Sequence, residues 1–363
     1  MNELFYELIR VAIGTKDSLS RMPSEREWSK LYRMAERQSL VGVCFAALKR
    51  LGADADEGYA RIGMSKMLYL TWMCMAVTIQ QKNQIVDEHC AALQKRLSAD
   101  GFKCCILKGQ GVACQYAEHL LGLRQSGDID VWIDAPPKET INWVRANCGE
   151  SKHDYHHVDA DLFPDTQVEL HFRPTLSRNI MRDLKIQKWT KRYVGKFVYD
   201  EKIGFSVPIL EFNIVYILHH IYWHVMFGGC GLRQLMDMYF VMMQERTDAQ
   251  NEEIAKSLKY LGIERFARAV MFILHDVFGL KEDRMICHVD EELGAFLLKD
   301  ILRTGNMGHH DETKKKTNGT KLSYLWRDTT YGFRLFKYFP VDVLWIPFGM
   351  IYISLRGKMI RID

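Results

Sequence analysis

The sequence predicts an α+β protein, a small mixed sheet set between two helical regions, and three observations lead there. Up to about residue 97 the apolar residues recur at helical spacing. From about 98 to 205 short apolar runs broken by glycine turns replace that pattern, and from Pro208 onward the helical period returns. Within the central part the order is strand, glycine turn, helix, strand, helix, strand. The expected divisions are an N-terminal helical region over 1–97, an α/β core over 98–205 and a C-terminal helical domain over 206–363. A chain of 363 residues is long enough for about two domains of ~150 residues with a sizeable core.

In the first region Leu4, Phe5, Leu8, Ile9 and Val11–Ala12 mark one helix, and Ser24 with Glu27 has the spacing of a capping box opening a second through Trp28, Leu31, Met34 and Ala35. A break at Gly52–Gly58 precedes a long helical stretch from Tyr59 to about Leu97. Nothing here has catalytic spacing, and the region reads as a packing or lid element. In the core, Lys103–Leu107 (KCCIL) reads as a strand running into the turn Lys108-Gly109-Gln110-Gly111, followed by a short helix over Val112–Leu120. Asp128–Ile133 (DIDVWI) alternates as a second strand, and Pro136–Pro137 opens a helix to about Asn147. A polar stretch with His153, His156 and His157 leads to a third strand, Val168–Phe172 (VELHF). Beyond Pro208 a helix over Leu210–Met226 is interrupted by Gly228-Gly229-Cys230-Gly231 and followed by another over Leu232 to about Gln244.

Composition narrows the class. Hydrophobic residues at 48% and charged residues at 26% are those of an ordinary globular protein. The net charge of +4, from 49 basic and 45 acidic side chains, is too small to mark a chain that tracks a phosphate backbone, so long nucleic acid is not an expected partner. The densest basic run, Lys314–Lys316, reads as a solvated loop. Nine cysteines, an odd number without C-x-x-C spacing, read as small buried hydrophobes of a reducing compartment. Residues Met1–Gly14 carry Glu3 and Glu7 and lack the layout of a signal peptide, so the cytoplasm is the expected location. One apolar segment, 341–355 (VDVLWIPFGMIYISL), lies between Lys337 and the pair Arg356 and Lys358. It is short against the ~20 residues of a span and contains Asp342 and Pro347, which leaves burial against the domain or contact with a membrane surface.

The chemistry centres on Gly127-Asp128-Ile129-Asp130. Residues i and i+2 of a strand share a face, so Asp128 and Asp130 present two carboxylates side by side. Their mutual repulsion makes sense around a cation, and hard oxygen donors favour Mg²⁺ or Mn²⁺. Glu169, on another apolar strand, offers a third carboxylate for a cage that holds two ions ~4 Å apart. The turn at Lys108-Gly109 offers backbone N–H groups and one ammonium to phosphate. The blander readings are a charged turn for the aspartates, an edge-strand surface residue for Glu169 and a solvated lysine at 108. His220 and His224 stand i, i+4, a spacing that binds zinc, but no third ligand accompanies them. Arg124 either contacts phosphate or braces Asp134, and His171 falls on the same side of its strand as Glu169.

The segments LKGQGVA, LRQSGDIDVWI, VELHFR and GLRQLMDM resemble the uncharacterised nucleotidyltransferase family of bacterial proteins, within the DNA polymerase β-like nucleotidyltransferase superfamily. The resemblance runs from about Met1 to Asp237. It implies a minimal nucleotidyltransferase sheet flanked by helices, with Asp128 and Asp130 as the first metal carboxylates and Glu169 as the third. Lys108 and Gly109 occupy the place of the superfamily's Gly-Ser phosphate turn, and Gly127 stands where many members have serine. The implied reaction moves a nucleoside monophosphate from an NTP, ATP being the expected one, to an unidentified hydroxyl acceptor on a small molecule or protein. The alternative is a catalytically silent nucleotide-binding module on the same fold. The resemblance also favours Arg233 facing the nucleotide over a plain i, i+4 pair with Asp237, with His224 beside it on a cleft wall opposite the carboxylates.

Overall fold

The computed structural model describes residues 1–311 and 317–360, so the Lys314–Lys316 run lies outside the described residues. The architecture is α+β. Strands β1 (Cys104–Ile106), β2 (Ile129–Ile133), β3 (His157–Ala160) and β4 (Val168–His171) form one sheet in the order β1-β2-β4-β3. β2 and β4 are parallel, and both edges are antiparallel to their neighbours. A separate two-stranded hairpin joins β5 (Phe197–Asp200) to β6 (Phe205–Pro208).

The period of two decides what each sheet face does. Ile129, Val131 and Ile133 turn to the face that also carries Cys104, Ile106, Val158, Val168 and Leu170. That face packs on Val86, Cys90, Leu93 and Leu97 of the long helix Lys66–Ala99, and on Ile141 and Val144 of the helix Pro137–Cys148. The alternate residues face the helix Leu210–Trp223. Trp132 stacks on Phe212 at 4.9 Å between ring centroids, and Phe212 stacks on Trp189 at 4.8 Å. Such aromatic pairs are worth about 0.5–1.5 kcal/mol beyond their burial, so this stack fixes the distance between sheet and helix.

The helix Lys66–Ala99 buries Trp72, Ala76, Ile79, Asn83, Val86, Cys90, Leu93 and Leu97. The steps alternate four and three, which keeps one stripe in line over the whole helix. Its first half joins the core of the helical regions and its second half the core under the sheet. Asn83 is the polar member of the stripe. Its Nδ2 donates to the carbonyl oxygens of Gly122 at 2.8 Å and Arg124 at 2.6 Å, tying down the segment that leads into β2. The N-terminal helix Asn2–Ile13 packs on Val41–Arg50 and on Glu264–Phe278, so both helical regions share one core.

Several local features differ from the sequence reading. The long helix does not begin at Tyr59: a short turn of helix, Gly58–Arg61, is followed by Gly63 at φ +74° and Ser65 at the N-cap. The helix expected over Val112–Leu120 is Lys108–Ala113 followed by a 3₁₀ turn at Glu118–Leu120. β3 arises in the polar histidine-bearing stretch. The helix Leu210–Trp223 passes into a wider π turn over His224–Gly228. There the chain meets the segment at Asn306–Gly308: a Cβ on Gly229, which has φ +90°, would stand 2.6 Å from the Gly308 Cα.

The apolar segment 341–355 lies within the helix Pro340–Lys358. Val343 and Ile346 are buried, and Asp342 pairs with Arg182 and accepts from Asn179 Nδ2 at 3.1 Å. Gly349 lies so close to the Arg178 carbonyl that a Cβ would stand 1.8 Å from its oxygen. Val341, Leu344, Phe348, Ile351 and Leu355 form an exposed apolar stripe on the other side. Among the described residues no helix is long and apolar enough to cross a membrane.

Candidate active site

β2 and β4 pair so that Asp130 stands opposite Glu169 and Trp132 opposite His171. Directly opposed residues project from the same face, so Asp130, Glu169 and His171 meet above the sheet, within 4.8 Å of one another through their donor atoms. Asp130 is almost fully buried, and both its oxygens are engaged. Lys108 Nζ is 3.0 Å from Oδ2, and His171 Nε2 is 2.9 Å from Oδ1. The same Nε2 lies 3.3 Å from Glu169 Oε2. Asp128, one residue before β2, lines the same space but belongs to none of the tight donor groups among the described residues.

The charges interlock. Burial alone would raise the Asp130 carboxyl, but Lys108 and His171 outweigh it and hold it below the usual carboxylate range. Glu169 behaves likewise: burial opposes ionisation, and hydrogen bonding to His171 with the nearby His157 overcomes it. Burial works against charged His171 too, yet its bonds to Asp130 and Glu169 lift it to about 9. Lys108 is raised despite burial because Asp130 and Asp128 face it. Its backbone is in the left-handed region at φ +24°, followed by Gly109 at φ +44°. A bulky residue rarely sits there, and such strain collects at working sites. Gly111 is needed for another reason, since a Cβ there would stand 2.3 Å from the Ile106 carbonyl oxygen.

Two cavities open above the carboxylates. The larger, about 300 Å³, is lined by Lys108, Gly109, Arg124, Gly127, Asp128, Asp130, His224 and Arg233, with Ser126, His220, Gln234, Asn306 and Met307. The smaller, about 190 Å³, shares Lys108, Asp128, Asp130, His220 and His224, and adds Glu169, His171, His156, Tyr216 and Trp223. The helix Leu210–Trp223 and its π turn thus supply the wall facing the carboxylates. Lys108, Gly109, Arg124, Gly127, Asp128, Asp130, Glu169, His224 and Arg233 each line one or both of these spaces.

Their partners differ from expectation in places. Arg124 does not brace Asp134: it grips Asp237 with two parallel bonds, Nε to Oδ1 at 2.7 Å and Nη2 to Oδ2 at 2.8 Å. The Tyr116 hydroxyl also donates to Asp237 Oδ1 at 2.7 Å. Asp237 is therefore taken, and Arg233 makes no ion pair with it. Arg233 Nη1 donates to the Gln125 carbonyl at 2.7 Å, and its Nε is buried without a partner among the described residues. Burial and then the neighbouring Arg124 push Arg233 down to about 10. His224 Nε2 faces His220 Nε2 at 3.0 Å, and burial with Lys108 keeps His220 well below its ordinary value. No metal-donor group among the described residues includes either histidine. Arg173, which follows the VELHF strand, stands over the Tyr155 ring at 4.5 Å and outside both cavities.

Sequence reasoning passed over several contributors. Ser126 Oγ is buried without a partner at the larger cavity, one residue before Gly127, and supplies a hydroxyl close to where the turn at Lys108-Gly109 has none. It stands in the quoted LRQSGDIDVWI run, so position relative to Asp128 was the available signal. Asn306 and Met307 close the cavity from far along the chain, and no motif marks them. His157 and Asp159 sit on β3, beside Glu169, in a segment whose strand character was missed.

The profile of a family described as "Uncharacterised nucleotidyltransferase" matches residues 24–279. No curated protein and no solved structure matches the chain. The matched stretch contains every cavity residue named above except Asn306 and Met307.

Proposed function

The chain belongs to the uncharacterised nucleotidyltransferase family, and we propose that it transfers a nucleoside monophosphate from an NTP, ATP being the expected donor, to a hydroxyl on a small molecule or protein. The observation that carries this reading is the opposition of Asp130 and Glu169 across parallel strands, with Asp128 at the strand mouth and Arg233 across the cavity. The acceptor oxygen attacks the α-phosphorus, the bond to the bridging oxygen breaks, and pyrophosphate leaves. The donor set fits a hard divalent ion: the Asp130 and Glu169 carboxylates meet, Asp128 lines the same space, and Lys108 Nζ and His171 Nε2 on the two oxygens of Asp130 mark where positive charge is drawn. Mg²⁺ or Mn²⁺, held by Asp128, Asp130 and Glu169, supplies charge stabilisation at the transferring phosphoryl group.

The chain's own groups do the rest. Backbone N–H groups around Gly109 and the Ser126 hydroxyl bind phosphate oxygens. Arg233 and Lys108 approach the triphosphate from opposite sides, and the fork of Arg233 suits the leaving pyrophosphate. The Arg124–Asp237–Tyr116 network holds the cavity wall rigid beneath Arg233. His171 orients the Glu169 carboxylate, and the acceptor's proton passes to water in the open cavity. A cavity of about 300 Å³ suits a small substrate. Nine free cysteines support a reducing compartment and hence the cytoplasm.

The test is pyrophosphate release with each NTP, Mg²⁺ and pools of hydroxyl acceptors. Activity that disappears in Asp128→Asn and Asp130→Asn is the expected result. NTP binding with no pyrophosphate release from any acceptor pool would return the fold to a binding module.

A further inference from the structure

The polar face of the sheet does not end at Glu169. In the antiparallel pairing of β3 with β4, Asp159 stands opposite Glu169, and His157 opposite His171. Across three strands, Asp130, Glu169 and Asp159 therefore form one row of carboxylates, with the two imidazoles in the next row. Like charges directly opposed on neighbouring strands destabilise a sheet, so the row needs positive charge along its length. Its inner end has this in Lys108. At its outer end, among the described residues, the ion pairs of Asp159 and Glu169 run to imidazoles alone.

His157 Nε2 lies 3.4 Å from Asp159 Oδ1, close to the roughly 3.0–3.5 Å that separates two donors bound ~2.1 Å from one ion. The other ring nitrogen, Nδ1, lies 3.7 Å from Glu169 Oε2. His157, Asp159 and Glu169 each offer one donor atom, all within 4.8 Å of one another. A second independent observation is the density of imidazole. His156, His157 and His171 bring three ring nitrogens within the same 4.8 Å limit, and the buried Nδ1 of His171 has no hydrogen-bond partner among the described residues. Asp154 holds His156 Nδ1 at 2.8 Å, and His156 Nε2 lies 3.1 Å from His157 Nδ1, which leaves His157 Nε2 toward Asp159. Mg²⁺ takes oxygen ligands, whereas imidazole with carboxylate suits Zn²⁺ and Co²⁺.

We propose a second divalent-ion site at His157, Asp159 and Glu169, selective for imidazole-seeking ions of the Zn²⁺ and Co²⁺ class. All three residues are partly exposed, so the ion keeps open positions for water or an anionic ligand. Glu169 has two carboxylate oxygens and serves both sites, which couples them: an ion on β3 draws Glu169 toward the sheet edge and sets where its carboxylate stands relative to Asp130. The site goes beyond the proposed nucleotidyl transfer and exists whether or not that reaction does.

The experiment uses the untagged full chain and Co²⁺ as a spectroscopic probe. Equilibrium dialysis gives stoichiometry, and visible absorption reports imidazole–cobalt coordination. The expected result is a Co²⁺ ion that survives Asp128→Asn, is displaced by Zn²⁺ but not by Mg²⁺, and binds at least tenfold more weakly in His157→Gln and in Asp159→Asn. Circular dichroism confirms that each variant is folded, and two variants on different donors guard against a local folding defect. Unchanged Co²⁺ affinity and spectrum in both β3 variants would overturn the proposal, as would loss of all Co²⁺ in Asp128→Asn. Absence of NTP turnover with Co²⁺ binding intact would sink the transfer reaction and leave this site standing.

Discussion

Replacing Arg233 by methionine separates a binding residue from a structural one. The guanidinium has one backbone partner, Gln125, a neighbouring Arg124 and a buried Nε without a hydrogen bond. Its pKa is pushed down to about 10, chiefly by burial and next by Arg124. At ~1.4 kcal/mol per pH unit, the charged form is penalised by roughly 3 kcal/mol in the folded chain. A folded pKa below the unfolded one means the charge opposes folding at neutral pH, so removing it favours the fold. The lost bond to Gln125 costs about 1 kcal/mol. Methionine replaces the side chain as far as Nε with flexible apolar atoms, and the guanidinium end lies at the cavity. The net expectation, in urea unfolding without nucleotide, is a variant more stable by about 2 kcal/mol. A triphosphate would reverse the balance, because it supplies the anion the site lacks. Calorimetry with Mg²⁺ should show NTP affinity down by at least tenfold, roughly 1.4 kcal/mol or more. A variant that loses stability while binding NTP as tightly as the wild type would refute this reasoning.

Asp237→Asn should behave in the opposite way, costing about 3–5 kcal/mol in unfolding experiments because it leaves Arg124 buried without its counter-charge. Asn83→Leu strands the carbonyls of Gly122 and Arg124 and should cost about 2 kcal/mol, read as a lower urea midpoint at unchanged slope. His219 is pushed down to about 3, first by burial and then by Arg182, while it keeps a 3.0 Å contact with Thr175. Its folded pKa is below the unfolded value, so its contribution is complete above about pH 6.5 and is lost as pH falls toward 3; in His219→Gln the loss of stability between pH 6 and 4 should be shallower by up to ~1.4 kcal/mol per pH unit. Gly349→Val should lift the helix Pro340–Lys358 off Arg178, and limited proteolysis should then cut that helix faster than in the wild type.

The sheet was legible wherever apolar alternation spans enough residues to register. β2 shows Ile129, Val131 and Ile133 on one side with Asp130 and Trp132 on the other, and the pattern placed both the strand and its carboxylates. β3 has the same alternation, with Val158 and Ala160 buried, but over four residues, and polar His157 and Asp159 mask it. That is also why the histidines beside Glu169 went unconnected: facing them across the sheet requires the β3–β4 register, which no local pattern encodes. The partner of Arg124 was equally hidden, because Asp237 lies 113 positions away and looked locally committed to Arg233. Asn306 and Met307 reach the cavity through close backbone approach at Gly229 and Gly308, a long-range fit invisible to spacing.

The stripe along the helix Lys66–Ala99 has a consequence for cooperativity. Trp72, Ala76 and Ile79 sit in one core and Val86, Cys90, Leu93 and Leu97 in the other, so neither core can melt without stripping one side of the same rod. The carboxylate sheet then cannot open as an independent foldon while the helical regions remain native. Amide exchange in β2 and in the Val41–Arg50 helix should share one opening free energy, and a chain cut at residue 98 would lose the floor of the sheet along with the helices it was meant to discard.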